Sequence, residues 1–223
     1  MANLIFDYDG TLNNTMLTYA PAFRETMHWL SDKGYIEDRE YTDEEISRWL
    51  GFNSTDMWGQ FHPELDYEIR EKARKMLGEN MAERIDSGEA ALFTGAEDML
   101  SELKKRGHTL IFLSNCRVPY LQRAKRVFWL ERWFDYFYCC EEYNFIPKYE
   151  IFRKFALDHK GKYIAIGDRF HDIEIASRNG LKSVGCAYGY GSSEELRKAD
   201  ITVQDIKDIP IAVEKLLLFW DYN

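Results

Sequence analysis

Short apolar segments separated by helical patterns are the feature that most constrains the fold of this chain. Candidate strands lie at residues 3–6, 109–113, 163–166, 183–186 and 201–203. From about residue 92 onwards, helical patterns lie at residues 96–106, 119–130, 149–159, 171–179 and 206–219. Strands that are apolar on both faces are typical of a parallel sheet covered by helices. The alternation therefore predicts an α/β fold with a doubly wound, Rossmann-like parallel sheet.

Residues 15–90 interrupt this alternation, because they contain no strand pattern. Helical patterns occur instead, at residues 17–33, 43–50 and 66–84. The insert leaves after the first strand and returns before the second, so its ends must lie close together. We therefore predict an all-helical cap domain, residues 15–90, inserted into a core domain formed by residues 1–14 and 91–223. The alternative is ordinary helical packing within one domain.

Composition and charge limit the cellular setting and the partners. The chain has 223 residues, 45% of them hydrophobic and 30% charged, and a formal net charge of −9. This acidic balance argues against a nucleic-acid surface, which would favour a basic face. No apolar run approaches the roughly 18 residues that a membrane span needs, and no signal-peptide pattern is present. We expect a cytoplasmic protein that binds neither nucleic acid nor membrane.

The cysteines show no pattern of a metal or disulfide site. No CxxC pair occurs among them, and they stand mostly in apolar, strand-like segments. We expect reduced, buried thiols. The four residues are Cys116, Cys139, Cys140 and Cys186.

Polar residues stand at or just after the ends of the apolar segments, or at the start of the next helix. In open α/β sheets, ligands bind in the crevice outside the carboxyl ends of the strands. We therefore expect these side chains to converge there. They are Asp7, Asp9, Ser114, Asn115, Lys148, Asp168 and Asp172.

The acidic members of this set favour a divalent cation. Carboxylates gathered in one crevice repel one another, and a hard ion such as Mg²⁺ relieves that repulsion while keeping a substrate phosphate among its ligands. Asp7 is the predicted nucleophile that attacks phosphorus. Asp9 is predicted to donate a proton to the leaving oxygen and later to take one from water. Asp168 completes the predicted metal site, and Asp172 is expected to bind through water or to orient a ligand.

The remaining members suit the phosphoryl group. Ser114, the backbone of Asn115 and the ammonium of Lys148 can hold its oxygens. For Lys148 the alternative is a surface lysine at a helix entry, since Tyr149 and Glu150 follow it.

Four motifs of the chain resemble those of the haloacid dehalogenase (HAD) superfamily. Residues 5–12, Ile-Phe-Asp-Tyr-Asp-Gly-Thr-Leu, resemble the first motif, DxDGT. Ser114-Asn115 resembles the second motif, Lys148 the third, and residues 167–172 the fourth, GDxxxD. The helical insert is similar to the superfamily's C1 cap. Lys148 departs from the common pattern, because Pro147 precedes it where prolines often follow.

The resemblance implies a Mg²⁺-dependent phosphatase that hydrolyses a small phosphomonoester through an aspartyl-phosphate intermediate. It implies Asp7, the Asp9 carbonyl and Asp168 as ligands of Mg²⁺. Gly10 and Thr11 are implied as further phosphate-binding residues. A small phosphorylated metabolite is the expected partner, and the chain is expected to be a monomer or a small homo-oligomer.

Residues 167–192 are similar to the phosphoglycolate phosphatase and 5′-nucleotidase-like branch of the superfamily. This narrows the expected substrates to phosphoglycolate-like acids or nucleoside monophosphates. Two interpretations remain open for the glycines at 189 and 191: a close-packed loop beside the site, or a purely structural turn. Arg169 is interpreted as pairing with a carboxylate or with substrate, and His171 as facing solvent on a helical turn.

Other members of the superfamily catalyse dehalogenation or phosphonate cleavage, and the sequence favours phosphatase activity over both. Dehalogenase members lack a carboxylate at the position of Asp9, which argues against that activity. Phosphonate-cleaving members use a cap lysine, but the charged helical contexts of the candidates favour solvated faces: Lys33, Lys72 and Lys75. A sugar phosphomutase of the same fold and a non-catalytic phosphate-binding regulatory protein remain as alternatives.

The predicted cap is expected to select the leaving group. It is rich in aromatic residues, most of which we expect in the core of the cap or at its interface with the core domain. Two residues near a helix break are candidate substrate contacts, with a solvated helix end as the alternative: Arg48 and Asn53.

Overall fold

Six parallel strands and ten α-helices make up the part of the chain that the structure, a computed structural model, describes: residues 1–157 and 160–220, with Phe219 described by its backbone alone. The strands are β1 (Asn3–Phe6), β2 (Thr109–Ser114), β3 (Tyr136–Cys139), β4 (Tyr163–Gly167), β5 (Lys182–Cys186) and β6 (Ile201–Val203). The helices are α1 (Met16–Asp32), α2 (Asp43–Ser47), α3 (Ser54–Phe61), α4 (Tyr67–Asp86), α5 (Ala96–Lys105), α6 (Val118–Phe128), α7 (Lys148–Phe155), α8 (Phe170–Asn179), α9 (Ser193–Leu196) and α10 (Ile209–Trp220). None of these described helices is both long and apolar enough to cross a membrane.

The sheet has the strand order β3-β2-β1-β4-β5-β6, and every neighbouring pair is parallel. Phe6 of β1 pairs with Phe112 of β2 on one side and with Ile166 of β4 on the other. The strand order reverses at β1, because β2 and β4 leave it in opposite directions. Such a switch point forms a crevice outside the carboxyl ends of the strands. The predicted doubly wound α/β fold is confirmed.

Both faces of the central strands β1, β2 and β4 are buried, which explains why these strands are mainly apolar. Side chains alternate between the faces along a strand. Leu4 and Phe6 of β1 belong to one apolar cluster, which includes residues of α5, α6 and α10. Ile5, between them, belongs to a second cluster with residues of α7 and α8.

Some elements differ from the sequence prediction. Strand β3 and helices α3 and α9 had no prediction of their own. The predicted helix 149–159 begins at Lys148 and ends at Phe155, while residues 158 and 159 lie outside the described residues. The predicted helix 206–219 opens with a 3₁₀ turn, Ile206–Asp208, and continues as α10.

The chain divides into two compact units. One contains Met1–Asn13 and the described part of Leu92–Asn223, and the other is Asn14–Ala91. The two passages between the units run side by side. Asn13 and Leu92 form an antiparallel bridge, and the Asn14 amide donates to the Ala91 carbonyl at 3.0 Å. The helical unit therefore begins and ends at a paired, hairpin-like neck.

Residues 14–91, all of which the structure describes, form helices and no strand. Helix α1 packs along α4. The ring of Phe61 lies at the centre of an aromatic cluster, with five rings between 4.3 and 6.1 Å from it. These rings belong to Phe23, Tyr41, Trp49, Trp58 and His62. Most of the unit's aromatic side chains thus stabilise its own interior.

Candidate active site

The candidate site lies at the carboxyl ends of β1, β2 and β4, which are neighbours in the centre of the sheet. Asp7 directly follows β1, and its amide donates to the carbonyl of Ile166 on β4 at 2.9 Å. Ser114 is the last residue of β2, and Asp168 directly follows β4. The parallel register therefore places the three polar positions at one edge of the sheet, beside its switch point.

Three buried carboxylates form a cluster there. Asp7, Asp168 and Asp172 each offer an oxygen, and these oxygens lie within 4.8 Å of one another. Burial, followed by the charge of Asp172, raises the pKa of Asp7 well above its ordinary value. Burial and the same neighbour raise the pKa of Asp168 to about 7. The folded chain thus holds carboxylates together at a considerable electrostatic cost.

Lys148 is the basic member of this cluster. Its Nζ donates to Asp7 Oδ1 at 2.6 Å and to Asp172 Oδ1 at 2.7 Å, and its side chain is only 1% exposed. Burial alone would lower the pKa of Lys148, but the two carboxylates raise it above its ordinary value. The lysine therefore stays charged and offsets part of the negative charge. The structure excludes the alternative of a surface lysine at a helix entry.

The donor set fits a hard divalent cation. Asp7 Oδ2 is buried and has no hydrogen-bond partner among the described residues. Buried polar atoms usually have a partner, so this oxygen is available to a ligand. Oxygen ligands of carboxylate type are those that Mg²⁺ prefers. Together with Asp168 and Asp172, Asp7 could hold such an ion.

Asp168 is fixed through both oxygens. Thr11 Oγ donates to its Oδ1 at 3.2 Å, and the amide of Tyr190 donates to its Oδ2 at 2.7 Å. Thr11, which the resemblance implied as a phosphate ligand, contacts a carboxylate in this structure. Tyr190 had no sequence prediction, since a backbone amide in a loop leaves no signature in the sequence.

Asp172 lies in the first turn of α8. Its Oδ1 accepts from Lys148, and its Oδ2 accepts from the amide of Arg169 at 3.0 Å. Gly167 is required beside it, because a Cβ there would overlap the Asp172 carboxylate. Two strong donors already hold this carboxylate, so its contacts suit the orientation of Lys148.

Asp9 lies outside the three-carboxylate cluster and has its own partners. Tyr120 Oη donates to Asp9 Oδ1 at 2.6 Å, and Asn13 Nδ2 donates to the same oxygen at 3.4 Å. Burial, followed by the charge of Asp9, raises the pKa of Tyr120 well above its ordinary value, so the phenol stays protonated. Sequence reasoning identified neither Tyr120 nor Asn13. Asn13 could have been found from the sequence, because it is a polar residue only four positions after Asp9.

Ser114 ends β2, and Asn115 is the first residue of the loop that follows. Ser114 is 1% exposed, and its Oγ accepts from the Cys116 amide at 3.2 Å. Asn115 Oδ1 accepts from the thiol of Cys140 at 2.7 Å. Burial raises the pKa of the Cys140 thiol to about 12, so it stays a neutral donor. Among the described residues all four cysteines are free thiols.

The loop of residues 187–191 packs directly against the site. A Cβ at Gly189 would collide with the Asp168 side chain and the Gly10 carbonyl, and a Cβ at Gly191 would collide with the Asp168 carbonyl. Gly10 has a φ of +85°, and a Cβ there would overlap the Asp168 carboxylate. Of the two interpretations of these glycines, the structure supports the close-packed loop.

Two residues between the fourth-motif aspartates have structural partners. Arg169 Nε donates to Glu195 Oε2 at 2.8 Å, which supports pairing with a carboxylate. His171 is partly buried against Phe170, with ring centroids 3.8 Å apart. Burial lowers its pKa to about 4. The prediction that His171 faces solvent is wrong, because its ring packs against its neighbour.

The two candidate substrate contacts of the helical unit also have partners. Arg48 pairs with Glu44 one helical turn away, at 2.7 Å. Asn53 caps α3, since its Oδ1 accepts from the amides of Thr55 and Asp56. These contacts give both residues a structural role, and their predicted contact with substrate stays a prediction.

Comparison with known proteins agrees with the fold and the motifs. The model of haloacid dehalogenase-like hydrolases matches residues 4–186, and the chain belongs to this family. The predicted superfamily and the predicted hydrolase class are thereby confirmed.

Two curated proteins are similar in sequence to this chain. A 5′-nucleotidase from Pseudomonas aeruginosa is 34% identical over 113 residues, which cover 49% of this chain and 51% of that protein. A phosphoglycolate phosphatase from Pectobacterium atrosepticum is 24% identical over 220 residues, which cover 92% of this chain and 89% of that protein.

A solved structure shows the same fold. It is described as a predicted phosphoglycolate phosphatase from Haemophilus somnus. It superposes with a TM-score of 0.79 at 19% identity and covers 96% of this chain and 98% of that chain.

Proposed function

We propose that this chain is a Mg²⁺-dependent phosphatase that hydrolyses a small phosphomonoester through an aspartyl-phosphate at Asp7. The observation that carries the proposal is the Asp7 carboxylate. Lys148 holds its Oδ1, while its buried Oδ2 has no hydrogen-bond partner among the described residues. A purely structural ion pair rarely leaves a buried carboxylate oxygen unsatisfied. The unsatisfied oxygen, beside two further carboxylates, favours a catalytic role.

The proposed reaction has two halves. Asp7 attacks phosphorus, so that an oxygen–phosphorus bond forms and the bond to the leaving oxygen breaks. Asp9 donates a proton to that leaving oxygen. Water then attacks phosphorus and gives a proton to Asp9. This step breaks the Asp7–phosphorus bond and releases inorganic phosphate.

The remaining residues hold charge in place. The phosphoryl oxygens are bound by Lys148, Ser114 and the backbone amide of Asn115. Gly10 and Thr11, on the same loop as Asp9, are the further phosphate-binding residues of the proposal. When bound, Mg²⁺ offsets the repulsion between the carboxylate and the phosphate and stabilises charge on the transferring group. Asp7, Asp168 and the Asp9 carbonyl would hold the ion. Asp172, which Lys148 and the Arg169 amide already contact, orients the lysine.

The substrate class rests on the relatives and on the helical unit. The names of the two relatives, a 5′-nucleotidase and a phosphoglycolate phosphatase, make nucleoside 5′-monophosphates and 2-phosphoglycolate the first substrates to test. We take the predicted domains, a core of residues 1–14 and 91–223 and a cap of residues 15–90, as part of the proposal. In it, the cap selects the leaving group of a small phosphorylated metabolite.

Phosphate release from a panel of phosphomonoesters, with Mg²⁺ and with EDTA, tests the proposal. We expect turnover of at least one substrate that requires Mg²⁺. Asp7→Asn, which keeps size but removes the nucleophile, should lower kcat by at least about 10³-fold. Asp98→Asn, a matched change at an exposed position of α5, should leave it unchanged.

Different results would favour the alternatives. Unchanged turnover in Asp7→Asn would contradict the proposed nucleophile. Isomerisation of a hexose 1-phosphate without free phosphate would favour a phosphomutase. Binding of Mg²⁺ and phosphate without turnover of any panel member would favour a regulatory protein.

A further inference from the structure

Tyr120 reaches Asp9 from a helix that the four motifs do not include. It lies in the first turn of α6, and its Oη is 2.6 Å from Asp9 Oδ1. The start of this helix is anchored, because Glu141 accepts from the Val118 amide at 2.9 Å and pairs with Arg117 at 3.1 Å. The phenol is therefore delivered to Asp9 by a fixed helix end.

The direction of this hydrogen bond follows from a third residue. Asn13 Nδ2 donates to Tyr120 Oη at 3.2 Å. The phenol oxygen accepts that bond, so its own hydrogen is directed to Asp9. The ring is held as well, since it packs edge-on against Tyr8, with centroids 6.0 Å apart. Tyr120 is thus a preorganised donor to one carboxylate oxygen.

The consequence concerns the two oxygens of Asp9. Oδ1 accepts from both Tyr120 and Asn13. A proton on Oδ1 would compete with these two donors, which favours Oδ2 as the oxygen that carries the transferred proton. The same two bonds fix the rotation of the carboxylate. General acid catalysis depends on such alignment, because a proton moves efficiently only across a short, directed hydrogen bond.

We propose that Tyr120 is a positioning residue, which fixes the Asp9 carboxylate so that Oδ2 faces the leaving oxygen and later the attacking water. This inference rests on the proposed function. It adds a residue that binds neither the phosphate nor the metal ion in the proposed scheme and acts through the Asp9 side chain. Its effect should therefore appear only in steps that need a proton from Asp9 or a proton transfer to it.

Leaving groups of different basicity test this role. Benzyl phosphate releases a basic alkoxide that needs a proton, while p-nitrophenyl phosphate releases a stable phenolate that needs little help. The measured quantity is kcat/KM, because it reports only the steps up to formation of the aspartyl-phosphate. Tyr120→Phe should lower kcat/KM about tenfold for benzyl phosphate and less than about threefold for p-nitrophenyl phosphate.

Tyr163→Phe is the matched control, because Tyr163 is a buried tyrosine at the opposite end of β4. It should keep both kcat/KM values, and both variants should unfold within a few degrees of the wild type. Equal losses on the two substrates, or no loss, in Tyr120→Phe would overturn the positioning role while leaving the phosphatase proposal intact. A wild type that hydrolyses neither these two substrates nor any member of the phosphomonoester panel would overturn both proposals.

A double-mutant cycle gives a second readout. If Tyr120 acts only through Asp9, Tyr120→Phe should have no further effect on p-nitrophenyl phosphate hydrolysis in an Asp9→Ala background. Losses that multiply in the double variant would show that Tyr120 acts independently of Asp9 and would overturn the inference.

Discussion

Lys148 contacts two buried carboxylates with one ammonium group, and this sharing determines what its removal does. Asp7 and Asp172 both depend on it for charge compensation, and Arg169, the nearby guanidinium, is paired with Glu195. A buried charge left without its partner typically costs about 3–5 kcal/mol. The residue therefore serves stability and the proposed chemistry at once.

Lys148→Met should separate these two contributions. We expect the metal-free variant to lose about 3 kcal/mol in the free energy of unfolding, and kcat to fall at least about 100-fold. Mg²⁺ should raise the melting temperature of the variant more than that of the wild type, because the ion then offsets charges that Lys148 no longer compensates. Thermal unfolding with Mg²⁺ and with EDTA measures this difference.

Lys154→Met is the control, since Lys154 is exposed on the same helix, α7. It should change neither stability nor kcat. A Lys148 variant as stable without metal as the wild type would contradict the shared role of the lysine.

At the residue scale, the sequence predicts positions that depend on strand ends and misses those that depend on packing. Asp7 and Asp168 directly follow buried strands, so the parallel sheet alone brings them together. Tyr120 is one of several polar residues on α6, and only the docked position of that helix selects it. The same holds for the Tyr190 amide, which carries no side-chain signature.

At the scale of elements, the loop of residues 187–191 shows how backbone can shape a site. The chain passes so close to Asp168 that neither Gly189 nor Gly191 has room for a Cβ. Because of this close approach, the Tyr190 amide can donate a hydrogen bond to the Asp168 carboxylate. The glycines therefore matter for their size, which permits the approach of this loop.

Gly191→Ala tests that reading. The added methyl group must displace the loop or Asp168, which should cost about 1–3 kcal/mol of stability. The apparent Mg²⁺ affinity, measured by titration of phosphate release, should weaken about tenfold, because the metal ligand loses its alignment. Gly78→Ala in α4, where nothing lies near the added methyl, should keep activity and gain up to about 1 kcal/mol. Equal Mg²⁺ affinities in the two variants would argue against a role of the loop in the site.

Strand β3 and helix α3 show why a hydrophobic pattern in the sequence does not reveal every element of the fold. Strand β3 is aromatic and only partly buried, so it shows neither strict alternation nor full burial. Its Tyr-Phe-Tyr composition favours a strand, and this was the usable signal. Helix α3 is short and begins at Ser54, after the N-cap Asn53, a residue type that is common at helix starts. The strand order could not be predicted, because it depends on pairings between segments far apart in the chain.

At the scale of the whole molecule, the buried carboxylates link folding to pH and metal. Burial raises the folded-state pKa of Asp7, and that of Asp168 to about 7. Both groups thus bind protons more tightly in the folded chain than in the unfolded one. The contribution of Asp168 to stability is greatest below the unfolded pKa of about 4 and is lost as the pH rises through about 7, and that of Asp7 also falls as the pH rises.

Mg²⁺ should reverse this dependence, because it binds the ionised carboxylates and competes with protons. We expect the Mg²⁺-induced rise in melting temperature to grow between about pH 5.5 and about pH 8. Asp168→Asn, which cannot ionise, should flatten the metal-free pH dependence. A Mg²⁺ effect of equal size at both ends of this range would contradict the linkage.

The paired neck between Asn13 and Leu92 has a consequence for how such proteins diversify. The sheet requires only that the chain at Asn13 and the chain at Leu92 pair side by side, and it places no requirement on the length of the segment between them. Since the entropy of closing a loop grows slowly with its length, an insert of very different size costs the sheet little. Recombination at this junction could therefore exchange one helical segment for another, while the sheet and the residues at its strand ends are inherited unchanged.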